Sequence, residues 1–221
     1  MKRVYLKMYA KQNLGDDLFL KVISDRYKNV KFIMYSGNRY NKKINSNLKI
    51  YSGLFYKILN KTIKILTNNK KSFEKMLVNK SDIVVEIGGS LFVEKQNIKK
   101  EDLEKLVKYY KTLNKDYYIL GSNFGPYKTN EYKQKYEDVF ANAKDVCFRE
   151  EYSYNLFKNL PTVRLAPDIV FSLTTSQWRK HTKKQVVISV MDISRRYKLK
   201  QYKEEYEEIK DCIASSVSET M

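Results

Sequence analysis

The chain has 221 residues, 43% of them hydrophobic, which is enough to bury a sizeable core and excludes disorder throughout. With two cysteines, Cys147 and Cys212, it is neither a disulfide-stapled scaffold nor a multi-cysteine zinc module, and without a run of about 18 apolar residues it holds no expected membrane-spanning helix. The formal net charge of +18 raises the case for a polyanionic partner, yet the lysines are scattered, as in Lys42-Lys43, Lys99-Lys100 and Lys183-Lys184, and fit a compositional bias of surface positions better.

From the N-terminus, Met1–Lys7 carries charge within its apolar stretch and lacks a secretory core, so a reduced, cytoplasmic protein is expected. Val4–Tyr9 reads as a buried strand, followed by a turn and a helix over Asp17–Ile23 with Asp16 or Asp17 as N-cap. Val30–Tyr35 is a second strand, and residues 37–53 read as irregular. Residues 54–78 repeat apolar side chains at helical intervals, at Leu54, Ile58, Ile65, Phe73 and Leu77. Ser81–Ile87 is a strand ending in Gly88-Gly89, and Glu86 within it needs a partner if buried or else faces solvent at an edge. A helix over Glu101–Leu113 follows, with Leu103, Leu106, Val107 and Tyr110 on one face. Tyr117–Leu120 is a strand ended by a loop, Gly121-Ser122-Asn123-Phe124-Gly125-Pro126. A helix over 130–142, a strand Asp145–Phe148 reaching Arg149, a helix Glu151–Asn159 and a strand Thr162–Leu165 complete the series. Residues 174–184 read as a polar linker, 186–191 as a new strand and 201–213 as a charged helix. The expected division is a domain over 1–173, the linker, and over 185–221 the first strand and helix of a second domain.

This βα rhythm predicts an α/β fold, a parallel sheet with helices on both faces. Ligands of such sheets bind outside the carboxyl ends of the strands. Gly15, Gly88, Gly121, Arg149 and Asp168 all follow strands and should gather at one rim. Asn13-Leu14-Gly15-Asp16 offers a tight turn and helix N–H groups to an anion or sugar hydroxyl, or is simply a capped turn. Gly88-Gly89 permits close approach of a ligand or of another backbone. The Gly121–Gly125 loop is suited to a carboxylate or phosphate, or is a sharp turn. Arg149, with Ser153 one turn on, can grip an anion bidentately or pair with Glu150 or Asp168. Asp168 orients Arg149 or caps the next turn. His181 reads as an exposed linker residue. No acidic or histidine cluster has metal-ligand spacing, so no metal is expected, and dispersed aromatics argue against nucleic acid.

In this order, Asn13-Leu14-Gly15-Asp16, Gly88-Gly89, Gly121–Pro126, Arg149-Glu150-Glu151-Tyr152-Ser153 and Pro167–Phe171 resemble the polysaccharide pyruvyl transferase family. The resemblance implies two Rossmann-like domains in a GT-B-like arrangement, the second only begun within this sequence. It implies transfer of the pyruvyl unit of phosphoenolpyruvate to two hydroxyls of a cell-surface or exopolysaccharide sugar, with no cofactor. The roles it suggests are Asp16 and Arg149 as catalytic residues. Asn13, Gly15, Gly88, Gly89, Gly121, Ser122, Asn123, Gly125, Ser153 and Asp168 then line the substrates. The alternatives are a GT-B-like glycosyltransferase using a nucleotide sugar, and an inactive or partner-dependent fragment. The implied partners are phosphoenolpyruvate and a glycan or lipid-linked sugar, with peripheral contact to an anionic membrane surface.

Overall fold

The computed structural model describes residues 1–8, 14–37, 40, 43–95, 98–173, 193 and 199–220, with backbone alone at 200 and 217–220. Met1–Leu173 forms one compact unit and Thr174–Met221 another. The expected linker 174–184 and strand 186–191 lie outside the described residues.

The first unit is built on β1 (Arg3–Lys7), β2 (Lys31–Tyr35), β3 (Leu48–Tyr51), β4 (Ile83–Ile87), β5 (Ser90–Phe92), β6 (Tyr117–Phe124), β7 (Asp145–Phe148) and β8 (Val163–Leu165). Every pairing is parallel, in the order β3-β2-β1-β4-β6-β7-β8, with β5 also on β6. The chain grows from β1 outward to β3, then returns to the other side of β1. That reversal lies between β1 and β4, where doubly wound sheets open a crevice for ligands.

Apolar side chains alternate along the strands and feed two cores. Phe19, Leu20 and Ile23 of α1 (Leu14–Arg26) cover Val4, Leu6, Met34 and Ile87 on one face. On the other, α3 (Phe73–Asn79), α4 (Lys100–Lys111), α5 (Asn130–Ala141) and α6 (Glu151–Phe157) cover Tyr5, Ile33, Val84 and Ile119. The expected parallel sheet with helices on both faces is therefore present. Beneath β5, β6 and β7 the second core is aromatic. Phe157 lies 4.9 Å from both Phe124 and Phe140, edge to face. Such contacts add about 0.5–1.5 kcal/mol each beyond burial. Phe124 ends β6 and Phe148 precedes Arg149, so this cluster stiffens the rim of the sheet.

Several expected boundaries are corrected. Residues 48–51, expected to be irregular, pair with β2 as the edge strand β3. The helical periodicity over 54–78 is divided between α2 (Leu54–Leu66) and α3. Asn68 and Asn69 take positive φ between them, and Ser72 caps α3 by accepting from Lys75 N. Helix α1 begins at Leu14, which puts Asp16 and Asp17 in its first turn rather than at its cap. Leu106, assigned to the buried face of α4, is 47% exposed. Strand β6 does not stop at Leu120 but runs to Phe124. Gly121, at φ +67°, absorbs a bulge against β7.

The second unit contributes a 3-10 turn, Lys200–Tyr202, leading into α7 (Lys203–Thr220). Tyr202, Ile209 and Ile213 of this unit are exposed.

Candidate functional site

Gly88-Gly89 interrupts β4 without changing its register. Ile87 pairs with Leu120 and Ser90 with Asn123, so β5 continues the line of β4 along β6. At the break, the Gly89 carbonyl accepts from Asn123 N at 2.8 Å and from Ser122 Oγ at 2.9 Å. The Arg149 guanidinium lies against the Cα of Gly89. A Cβ there would meet Nη2 at 2.5 Å, so only glycine leaves room for it.

Arg149 follows β7, and its N–H is tied to Ser122 O at 3.0 Å. Its Nη1 donates to Asp168 Oδ2 at 2.6 Å, and its Nη2 to Asn123 Oδ1 at 3.3 Å. Asp168 uses its other oxygen to cap the 3-10 turn Ile169–Ser172, accepting from Val170 N at 3.0 Å. It thus fills both roles that the sequence left open. Glu150, the other candidate partner of Arg149, instead turns back to cap α6, accepting from Tyr152 N and Ser153 N. The Arg149 and Asp168 side chains keep 30% and 25% of their surface exposed, so the pair is anchored yet reachable.

Four expected residues, Gly89, Asn123, Arg149 and Asp168, therefore meet at the carboxyl ends of β4, β6, β7 and β8. Gly88, Gly121, Ser122, Gly125 and Ser153 are buried. They shape the backbone around the cluster. Ser153 Oγ accepts from Phe124 N at 2.6 Å and bonds Glu150, which pins α6 to the end of β6. The expectation that the 121–125 segment offers free N–H groups to an anion is corrected. Asn123 N bonds Gly89 O, Phe124 N bonds Ser153 Oγ, and Gly125 N bonds Phe92 O. These donors are spent because the segment is strand rather than loop.

Gly15 and Asp16 stand in the first turn of α1, which packs on the 3-10 turn after Asp168. Asp17 accepts from the Tyr40 hydroxyl. Burial, and then Asp17 and Asp16, push that phenol well above its ordinary value. Asn13 lies outside the described residues.

Two concavities adjoin the rim. One, about 470 Å³, is lined by Ile23 of α1, Gly121, Cys147, Asp168, Ile169 and Phe171, and so reaches the Arg149 cluster through Asp168. Burial raises the Cys147 thiol there above its ordinary value. The other, about 770 Å³, holds none of the residues singled out as site candidates. Its floor is Glu86, buried between Lys7 Nζ at 3.0 Å and the Tyr110 hydroxyl. The Lys7 ammonium lies 4.2 Å from the Tyr109 ring centre. Burial, and then Glu86, raise both phenols well above their ordinary values. The one signal for this group was a glutamate inside an apolar strand; nothing in the sequence pointed to Lys7 or Tyr110. Among the described residues, no group of three or more His, Cys, Asp or Glu could hold a metal ion. Nor is any described helix long and apolar enough to cross a membrane.

A family model described as polysaccharide pyruvyl transferase matches residues 13–219. The chain belongs to the polysaccharide pyruvyl transferase family. The match runs from Asn13 through every motif of the Arg149 cluster. No curated protein matches this pyruvyl transferase family member. Among solved structures it is similar to Anabaena Alr3699/HepE in complex with UDP and glucose, at 11% identity and a TM-score of 0.43. That match covers 76% of this chain and 44% of the other. It is also similar to the C-terminal domain of the coenzyme A biosynthesis bifunctional protein CoaBC, at 10% identity and a TM-score of 0.32. There the coverage is 66% of this chain and 71% of the other. The family member thus spans less than half the length of the HepE chain.

Proposed function

We propose that this chain takes part in transfer of the pyruvyl group of phosphoenolpyruvate to a sugar of a surface or exported glycan, and that Arg149 holds an anionic group of the donor. The observation that carries this reading is the Arg149 guanidinium, fixed by Asp168 and Asn123 over Gly89 at the rim of the sheet. A guanidinium has five N–H donors, and those two contacts engage two of its three nitrogens. The remaining donors suit a carboxylate or phosphate, and pre-oriented donors of this kind stabilise charge without reorganising.

The reaction balances without a cofactor. The donor methylene carbon takes up a proton, and a sugar hydroxyl oxygen bonds to the adjacent carbon as its own proton leaves. A second hydroxyl then displaces phosphate from that carbon, closing the ketal and releasing the second proton. The net change consumes phosphoenolpyruvate and two hydroxyls and yields the ketal and phosphate. Asp16, in the first turn of α1, is assigned the base for an attacking hydroxyl. Asn13, Gly15 and the Gly88-Gly89 break are assigned to the acceptor side. Proton transfer by a positioned carboxylate contributes roughly 10²–10⁴-fold.

The test is thermal denaturation of the full chain with phosphoenolpyruvate or with nucleotide sugars. At a hundredfold excess over its dissociation constant, the true donor stabilises by about 2.7 kcal/mol. Stabilisation by phosphoenolpyruvate alone supports the reading. Stabilisation by a nucleotide sugar alone replaces it with glycosyl transfer.

A further inference from the structure

Helix α2 has no buried residue, although its sequence, Leu-Phe-Tyr-Lys-Ile-Leu-Asn-Lys-Thr-Ile-Lys-Ile-Leu, is mostly apolar. It follows the edge strand β3 in the chain and is held from one side, mainly by α3. The Tyr56 ring stacks on Phe73 at 5.3 Å, and Asn60 Oδ1 accepts from Phe73 N at 2.9 Å. The rest of its surface is open. Leu54 is 72% exposed, Phe55 70%, Ile58 55%, Ile65 67% and Leu66 79%.

At about 100° per residue these five side chains fall within an arc of roughly 120°. Lys57, Lys61 and Lys64 line the flank of that arc, and all three are exposed. The protein-facing side, with Tyr56, Asn60 and half-buried Leu59 and Ile63, is the third sector. From Ser52 to Phe73 there are five lysines and no acidic residue. An apolar stripe beside a cationic row is the pattern of a helix lying flat in a bilayer interface. A solvated helix has no use for it, since an exposed apolar patch of this kind marks an interaction surface.

We infer that α2 docks the protein on an anionic lipid surface, with Leu54, Phe55, Ile58, Ile65 and Leu66 entering the headgroup boundary and Lys57, Lys61 and Lys64 contacting lipid phosphates. Charge complementarity selects this occupant over a second copy. Pairing two α2 helices face to face supplies neither lysine row with an opposite charge, since the segment has no acidic residue, whereas an anionic surface neutralises both. At 13 residues, the helix is about 20 Å long. It is too short and too charged to span a bilayer. None of these residues belongs to the Arg149 cluster, so the inference stands apart from the pyruvyl-transfer reading.

Flotation of the full chain with vesicles tests it. The protein is expected to float with vesicles of equal parts phosphatidylglycerol and phosphatidylcholine, and not with phosphatidylcholine alone, with partition falling as salt rises. Lys57→Ser, Lys61→Ser and Lys64→Ser together should lower partition about a hundredfold, at about fivefold per lysine near an anionic surface. Phe55→Ser with Ile65→Ser should lower it at least about tenfold. Both sets change exposed positions, so their melting temperatures should match the parent. Absence of flotation, equal flotation on both vesicle types, or unchanged partition of either variant overturns the inference. So does sedimentation showing a dimer that Phe55→Ser with Ile65→Ser dissolves, which would give this face to a second copy.

Discussion

At Arg149, position is set by what surrounds the guanidinium rather than by the residue alone. Asp168 and Asn123 each take one nitrogen, and the missing side chain of Gly89 leaves the space it occupies. This makes Gly89→Ala a sharp probe. Gly89 φ lies outside the left-handed region, so alanine fits the backbone. The new Cβ collides only with the far end of a flexible side chain. Stability should stay within about 1 kcal/mol of the parent, while donor affinity falls roughly ten- to hundredfold as the guanidinium is displaced. Chemical denaturation alongside donor titration checks this. A large stability loss, or unchanged affinity, contradicts the placement. The sequence marked Arg149 and Asp168 as special because each follows a strand. It could not choose between Glu150 and Asp168 as the partner, since adjacency in the chain says nothing about which carboxylate turns inward. Capping of α6 decides it, by engaging Glu150 elsewhere.

Elements were legible where their hydrophobic period was undiluted. β1, β2, β4 and β7 are short apolar runs bounded by polar residues, and all four are strands. β3 was missed because Leu-Lys-Ile-Tyr is only four residues long, half-buried at the sheet edge and set in a polar stretch with glycines and asparagines. The extension of β6 was missed because glycine reads as a terminator, and its capacity to bulge within a strand shows only in the pairing. The chain just after β5 is tied to the N-terminus of α5 by a buried carboxylate. Glu94 accepts from Lys128 N and Thr129 N, and from Thr129 Oγ1 at 2.8 Å. Burial raises its carboxyl, but the hydrogen bonds outweigh this and hold it below the usual value. A carboxyl lowered by folding contributes stability that is complete above the unfolded value, near pH 4.3, and is lost as pH falls through the folded one. Glu94→Gln should therefore cost about 2 kcal/mol at pH 7. The gap to the parent should narrow below about pH 4.3. Urea denaturation from pH 7 to pH 3.5 reads both. A gap that stays constant across this range would rule out the charge as its source.

For the molecule as a whole, strand order is what gathers residues separated by up to 79 positions. The reversal between β1 and β4 brings Gly89 beside β6, and β7 and β8 follow outward with Arg149 and Asp168. From the βα rhythm the sequence predicted that Gly15, Gly88, Gly121, Arg149 and Asp168 gather at one rim; of these, Arg149 and Asp168 meet directly, beside the Gly88-Gly89 break. For the Lys7–Glu86–Tyr110 group it offered only a glutamate inside an apolar strand, because the members fall on β1, β4 and α4 and meet only once the sheet is formed. The net charge of +18 was uninformative in total. It acquired meaning in one place, where lysines flank the exposed stripe of α2. The central claim, that Arg149 holds the donor, is tested most directly by calorimetric titration of phosphoenolpyruvate into the full chain, Arg149→Ala and Arg149→Lys. The account predicts saturable binding to the parent, roughly 10- to 100-fold weaker binding to Arg149→Ala, and incomplete recovery with Arg149→Lys, which restores charge but not the planar fork. Equal affinity for all three proteins, with unchanged melting temperatures, would contradict it.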